Sequence, residues 1–252
     1  MCYYFFYRLM RNLNFRYRTF SLIIVILIFN FSCKKKDSNE EIPTTTNNLI
    51  LSLKFNNGIV DSSGNNNVLI SDNITFTKDS FGNTNGAAYF DGSTSSITSA
   101  DNDLYDLKSS FTFSIWIKPE TNSAYLIQKQ MDFNGGGPYS FDYIGGKPRI
   151  LLYYSSSDYF ELKGNSSISI NKWQYLAATW DGTSVKMYVN GQLEKESTLS
   201  GKTILNSSKG LGIGIYQWNP SGARYKGAID NLEIYKTALS QEDIEKKYNE
   251  YK

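Results

Sequence analysis

Between Trp173 and Gly191 two apolar-rich runs, WQYLAATW and SVKMYV, are parted by Asp181-Gly182 and closed by Asn190-Gly191. Alternation with a period of two places successive side chains on opposite faces of a strand. Asp-Gly and Asn-Gly tolerate the positive φ that type I′ hairpin turns require. The stretch therefore predicts a strand, a tight turn, a second strand, a second turn and a third strand over Leu193–Ser197.

The same pattern recurs through the chain. Leu49–Phe55 alternates, and VDSSGNNN at 60–67 is turn chemistry throughout. Ile74–Thr77 is a short strand, and Gly86–Phe90 and Ser96–Thr98 flank a further Asp91-Gly92 turn. In Phe111–Lys118, Phe111, Phe113, Ile115 and Ile117 share one face and Thr112, Ser114 and Trp116 the other, until Pro119 ends the run. Strands follow over Tyr125–Lys129, Tyr139–Ile144, Arg149–Tyr154, Tyr159–Leu162, Lys209–Tyr216 and Lys226–Tyr235. A short helix from Gln241 to Tyr251 closes the chain, with Ser240 as N-cap and Asp243 three residues on. No long helix is available for βαβ crossovers and no repeat of fixed period appears. The fold class is all-β, an antiparallel two-sheet sandwich.

Composition narrows the chemistry. Aromatics make up 15% of the 252 residues, with 19 Tyr and 15 Phe, a strand-forming bias. There is no histidine, which excludes Ser-His-Asp and Cys-His machinery and the commonest zinc ligand. The cysteines are Cys2 and Cys33, so no disulfide framework exists. The formal charge of +2 is misleading, because Arg8, Arg11, Arg16 and Arg18 crowd the first 33 residues, which hold no acid. Without those four, 22 of the 26 basic residues face 24 acidic ones, a net of −2 that gives no electrostatic case for nucleic acid.

That N-terminal segment has a basic n-region and an apolar run, TFSLIIVILIFNF at 19–31. The run is too short to cross a bilayer as a helix and fits a secretory signal. Ser32-Cys33 follows, and the segment resembles the lipoprotein signals of Bacteroidetes-type bacteria, in which the cysteine becomes the lipidated first residue. Asn30 stands where the stricter motif has Leu. An uncleaved signal anchor or an ordinary secretory peptide is the alternative. The resemblance implies lipidation at Cys33 and a cell-envelope location, anchored to the outer membrane. Residues 1–33 are thus a signal segment, 34–48 a polar tether with a Thr run, and 49–252 the folded part.

Within 49–252, DSSGNNN at 61–67, GAAYFDGSTSSI at 86–97, FTFSIWIKP at 111–119, WQYLAATWDGTSVKMYVNGQL at 173–193, GLGIG at 210–214 and KGAIDNLEIYKTALSQEDI at 226–244 occur in one order. In that order they resemble the laminin G-like, concanavalin A-like jelly-roll family. The resemblance implies carbohydrate-binding modules, adhesins or enzymes. It also implies a structural Ca²⁺ between the early Asp-rich turn and the last strand, naming Asp61, Asn65 or nearby carbonyls, and Asp230. Hard cations take such oxygen ligands. The alternative is an Asx-turn at Asp61 and a strand-end cap at Asp230.

Sugar-stacking aromatics come from the loops. Trp218 lies in the polar stretch GIYQWNPSGARY, with Tyr216, Tyr225 and Arg224 around it. Tyr153, Tyr154 and Tyr159 border the Ser155–Asp158 loop as a second patch. Trp116 and Trp173 are expected to be core. The Glu-x-Asp-x-x-Glu motif of the family's glucanases is absent, and Asp230/Glu233 and Glu194/Glu196 are the nearest carboxylate pairs. The expectation is a membrane-anchored, non-catalytic glycan-binding lipoprotein. A module for protein partners is the alternative, and a glycoside hydrolase ranks last.

Overall fold

The computed structural model describes residues 48–130, 137–217 and 224–252. The signal segment, Cys33, the tether up to residue 47 and Trp218 lie outside the described residues. In chain order the strands are β1 (Leu49–Leu53), β2 (Leu69–Asp72), β3 (Thr75–Thr77), β4 (Ala87–Asp91), β5 (Ser96–Ser99), β6 (Phe111–Pro119), β7 (Ala124–Lys129) and β8 (Tyr139–Ile144). Then come β9 (Lys147–Tyr153), β10 (Tyr159–Lys163), β11 (Gln174–Trp180), β12 (Ser184–Val189), β13 (Gln192–Thr198), β14 (Leu211–Ile213) and β15 (Lys226–Tyr235), followed by helix α1 (Gln241–Glu250).

They form two antiparallel sheets. The eight-stranded sheet runs β13-β12-β11-β6-β15-β4-β3, with β1 also paired to β15. The seven-stranded sheet runs β10-β9-β8-β7-β14-β5-β2. This is the expected jelly-roll sandwich. The alternation in β6 does what it predicts: Phe111, Phe113, Ile115 and Ile117 enter the core between the sheets, beside Trp180, Tyr139 and Phe141. Trp116 points the other way. It joins Tyr175, Tyr188, Tyr235 and Leu239 in a second cluster on the sheet's outer face, closed by Ile244 with Tyr248 of α1 packed against it. Ser240 caps that helix reciprocally with Asp243, as the sequence predicts.

Three local expectations change. Strand β2 falls in a stretch with no predicted strand; it is an edge strand, and Ile70 is exposed. Strand β14 keeps only three residues of the predicted Lys209–Tyr216, because Gly214 turns to φ +72 and leaves the ladder. No side chain fits there, since a Cβ on Gly214 would meet the Phe90 ring at 2.5 Å. At Asn190-Gly191 both residues take positive φ, as a type I′ turn needs, but at Asp181-Gly182 only the glycine does. Asp181 instead closes its turn by accepting the Thr183 and Ser184 N–H groups at 2.8 and 2.7 Å.

Candidate functional site

The outer face of the seven-stranded sheet gathers polar and aromatic side chains from four adjacent strands. In β8, Tyr139, Phe141 and Tyr143 fill the core, so Ser140 and Asp142 face outward. Gly145-Gly146 makes a two-residue turn with φ of 59° and 71°, which fixes the register so that Asp142 pairs directly with Arg149 of β9. Arg149 donates to both Asp142 oxygens, Nε to Oδ1 at 2.8 Å and Nη2 to Oδ2 at 3.0 Å, and its Nη1 reaches Glu161 of β10 at 3.4 Å. Ser140 Oγ donates to Asp142 Oδ2 at 2.7 Å. Asp142 is fully buried. Burial pushes its carboxyl upward, against the pull of Arg149 and the Ser140 hydroxyl. For Arg149 burial acts downward, but the hydrogen bonds and charge of Asp142, with Glu161, outweigh it and hold the guanidinium above its ordinary range.

Two tyrosine pairs flank this centre. Tyr216, just past β14, stacks on Tyr125 of β7 with ring centres 4.6 Å apart and planes 13° apart. Tyr153 and Tyr159, at facing ends of β9 and β10, lie 5.1 Å apart at 33°. Tyr125 pairs across the ladder with Asp142 and lies within electrostatic reach of Asp142, Tyr216 and Arg149, and Tyr153 within that of Tyr159, Tyr216 and Arg149. The phenols of Tyr125, Tyr153 and Tyr216 are raised, burial being the first cause of each, so they stay protonated donors. The fold thus merges two sequence-distant patches, one around Tyr216 and one around the Ser155–Asp158 loop. Tyr125, Asp142 and Arg149 belong to it and were missed by the sequence reading. The Gly145-Gly146 turn between alternating strands was the available signal, because it sets Asp142 opposite Arg149.

Other expected residues go elsewhere. Tyr225 is fully buried; its ring meets Phe90 and Tyr143 edge-on and its hydroxyl donates to Ala228 O at 2.8 Å, so it presents no face to a ligand. Tyr154 turns inward against the core, with Lys202 Nζ 4.4 Å over its ring. Arg224 Nη1 donates to the carbonyls of Thr94 and Ser95 at 3.4 and 3.2 Å, which holds it against the β4–β5 turn.

The expected calcium pair is not assembled. Asp61 bridges to Leu53 of β1, and β1 stands between it and β15, which carries Asp230. Both Asp61 oxygens are taken by five donors: the N–H groups of Ser52, Ser63 and Asn67, the Ser63 hydroxyl and the Asn67 amide, at 2.8–3.1 Å. Burial acts to raise its pKa, but these backbone and side-chain donors bring it below the ordinary carboxylate value. Asn65 turns its amide nitrogen toward the carbonyls of Leu49 and Ile50 at 2.9 and 3.2 Å, the opposite of a ligand's polarity. Asp230 accepts the Asn231 N–H at 2.7 Å, and the carboxylate acting on it is Asp79. This donor set does not fit a calcium ion shared by Asp61, Asn65 and Asp230. The loop at 61–67 is a hydrogen-bonded turn instead. Among the described residues no group of three or more acidic, Cys or His side chains could hold a metal ion.

The candidate acids Glu233, Glu196 and Glu194 each have a partner, though Glu194 Oε2 is buried without one among the described residues. Glu233 meets Lys247 Nζ at 2.6 Å and the Tyr235 hydroxyl at 3.0 Å, and Glu196 lies 3.8 Å from Lys186. Glu194 accepts the Ser166 N–H at 2.5 Å.

The family model Laminin_G_3, of the concanavalin A-like lectin/glucanases superfamily, matches residues 90–245. Comparison with curated proteins finds no match. Among solved structures, the receptor-binding domain of botulinum neurotoxin C/D mosaic serotype is similar at 21% identity and TM-score 0.65, covering 81% of this chain and 52% of that one. The botulinum serotype D ligand-binding domain in complex with N-acetylneuraminic acid is similar at 21% identity and TM-score 0.66, covering 81% and 51%. The binding domain of botulinum neurotoxin DC in complex with rat synaptotagmin II is similar at 18% identity and TM-score 0.65, covering 83% and 53%. The chain spans about half the length of these structures, and at such identity the likeness is one of fold.

Proposed function

The chain belongs to the Laminin_G_3 family of the concanavalin A-like lectin/glucanases superfamily, and from that membership we propose that it is a non-catalytic glycan-binding protein. Its ligand lies across the Tyr125–Tyr216 and Tyr153–Tyr159 pairs. The carrying observation is these two ring pairs on one sheet face around a charge-balanced centre. Aromatic faces suit the C–H faces of sugar rings, and phenol hydroxyls supply fixed donors and acceptors. A fold neighbour bound to an acidic sugar supports the saccharide class. Here, however, the cations Arg149, Lys147 and Lys163 share this face with the carboxylates Asp142 and Glu161; Arg149 is committed to both carboxylates, and Lys147 donates to the Asn165 carbonyl. The face therefore favours neutral glycans. The missing Glu-x-Asp-x-x-Glu motif supports binding without hydrolysis. We place the protein at the cell envelope, anchored to the outer membrane through a lipid on Cys33, with 34–48 as tether; the basic and apolar signal segment supports that reading.

A glycan array probed with the mature chain tests this. We expect binding to neutral glycans, weakened about tenfold or more by Tyr216→Ala and by Tyr159→Ala, with unfolding temperatures nearly unchanged. Absence of any glycan binding, or full binding by both variants, overturns the proposal. The complex of the fold neighbour with synaptotagmin II favours a protein ligand as the second reading, and a partner protein captured through the same tyrosines would establish it.

A further inference from the structure

The outer face of the eight-stranded sheet bears a small recess away from the aromatic cluster under α1. Its floor is Ala228 of β15. That residue pairs with Tyr89 of β4 on one side and Lys118 of β6 on the other, so three outward side chains stand in a row across three strands. The alanine methyl between two long neighbours leaves a cavity of about 80 Å³, which Lys78, Glu120 and Asn171 help to line. A cavity of roughly 150 Å³ holds a benzene ring, so this smaller recess suits a compact group rather than a sugar ring.

Two lysines at the recess are left without an ion pair among the described residues. Glu120 is paired with Lys226 at 3.4 Å, so its charge is already matched. Lys78 and Lys118, both exposed, have no ion pair among the described residues. The other nearby carboxylates, Asp91 and Asp79, keep their oxygens on local donors and form no ion pair with either lysine. Asp91 accepts the N–H groups of Ser93, Thr94 and Ser95, and Asp79 those of Phe81 and Asn83. Asp230 sits one pleat further along β15, opposite Trp116 and outside the cavity. Asn171 is held at the rim by its own N–H, which donates to Pro119 O at 2.7 Å.

The sheet alone does not require this arrangement. A valine or leucine at 228 would bury more apolar surface and close the gap between Tyr89 and Lys118. We propose that the recess receives an oxyanion, a carboxylate, sulfate or phosphate group carried on a larger ligand. Lys78 and Lys118 supply the charge, Asn171 and Tyr89 line the recess, and Ala228 provides the room. Lysine is a mobile point charge with three donors and needs no bidentate geometry. The site lies on the other sheet from the tyrosine pairs, and it stands whether or not those bind a neutral glycan.

Titration of the ¹⁵N-labelled mature chain at low ionic strength tests the proposal. The probes are sodium sulfate, sodium phosphate and glucuronate, with glucose as the uncharged control. We expect saturable shifts at the amides of Lys118, Asn171 and Ala228 with at least one oxyanion and none with glucose. Whichever probes saturate identify the preferred group. Affinity should fall steeply with added sodium chloride, because the charges are exposed. The double variant Lys78→Met/Lys118→Met should weaken binding about tenfold or more. Ala228→Leu, which fills the recess, should abolish it. Should that variant fail to fold, the lysine pair, both exposed, still decides the matter. Shifts that never saturate, that glucose reproduces, or that survive removal of both lysines overturn the proposal.

Discussion

The outer face of the eight-stranded sheet carries Trp116, Tyr175, Tyr188 and Tyr235, with α1 packed over Trp116 and Tyr175; Trp116 stacks on Tyr248 at 5.5 Å and 14°. The outer face of the seven-stranded sheet carries Tyr125, Tyr153 and Tyr159, and the single α-helix among the described residues is spent on the other sheet. Both faces are aromatic, yet Trp116 is 4% exposed and Tyr159 is 51% exposed. An outward aromatic is structural where another segment covers it, and it is available for a ligand where none does. Deleting a packed indole should therefore be expensive: Trp116→Ala is expected to lose about 3–5 kcal/mol, and Tyr159→Ala less than about 1 kcal/mol. Urea unfolding of the two variants measures both. Equal losses would break the comparison, because the tyrosine face would then be as structural as the covered one.

The sequence shows clearly which residues leave the core and poorly what becomes of them. Period-two alternation in β6 and the inward set of β8 are readable because one face of each strand is buried. The fate of Trp116 depends on Ile244 and Tyr248, more than a hundred residues later, and no local pattern ties them together. Tyr225 sits in polar sequence but, immediately before β15, turns into the core, so composition misleads about it. For Asp61, the DSSGN pattern serves cation binding and self-capping turns equally, and only the hydrogen bonds separate the two. The Arg149 centre is the reverse case. Its two halves are equidistant from a Gly-Gly turn, and the register could have been counted out.

Each face also buries a carboxylate, and here the contrast sharpens. Asp142 has Arg149. Asp230, under the covered face, has the Asn231 N–H but no cation within 4.0 Å among the described residues. Burial, with Asp79 nearby, pushes Asp230 from its ordinary 3.8 up to about 7. Between those values the folded chain holds a proton that the unfolded chain has released, so this group's contribution to stability falls as pH rises from about 4 to about 7. Asp230→Asn keeps an acceptor for the Asn231 N–H and removes the titration. With a chelator present, the variant should be more stable at pH 7.5 by on the order of 3 kcal/mol, an advantage that vanishes near pH 4. Thermal unfolding across that range checks it. A gain independent of pH would mean that the substitution acts through packing and not through the uncompensated charge.

The smallest expected effect probes the cover itself. Ser240 Oγ accepts the Asp243 N–H at 3.1 Å, and Asp243 Oδ2 accepts in return from the Ser240 hydroxyl at 2.7 Å and its N–H at 3.3 Å. This box starts α1 just before Ile244, the residue that docks the helix on the sheet. Ser240→Ala should therefore lose about 1 kcal/mol and loosen the helix from its first turn. Hydrogen exchange should quicken over Gln241–Glu250 and stay unchanged over β8 and β9, because those strands belong to the other sheet. Glycan binding should likewise be unaffected. If removing the cap weakened binding as much as Tyr216→Ala does, the covered face would be coupled to the open one, and the helix would have to be counted as part of the ligand site.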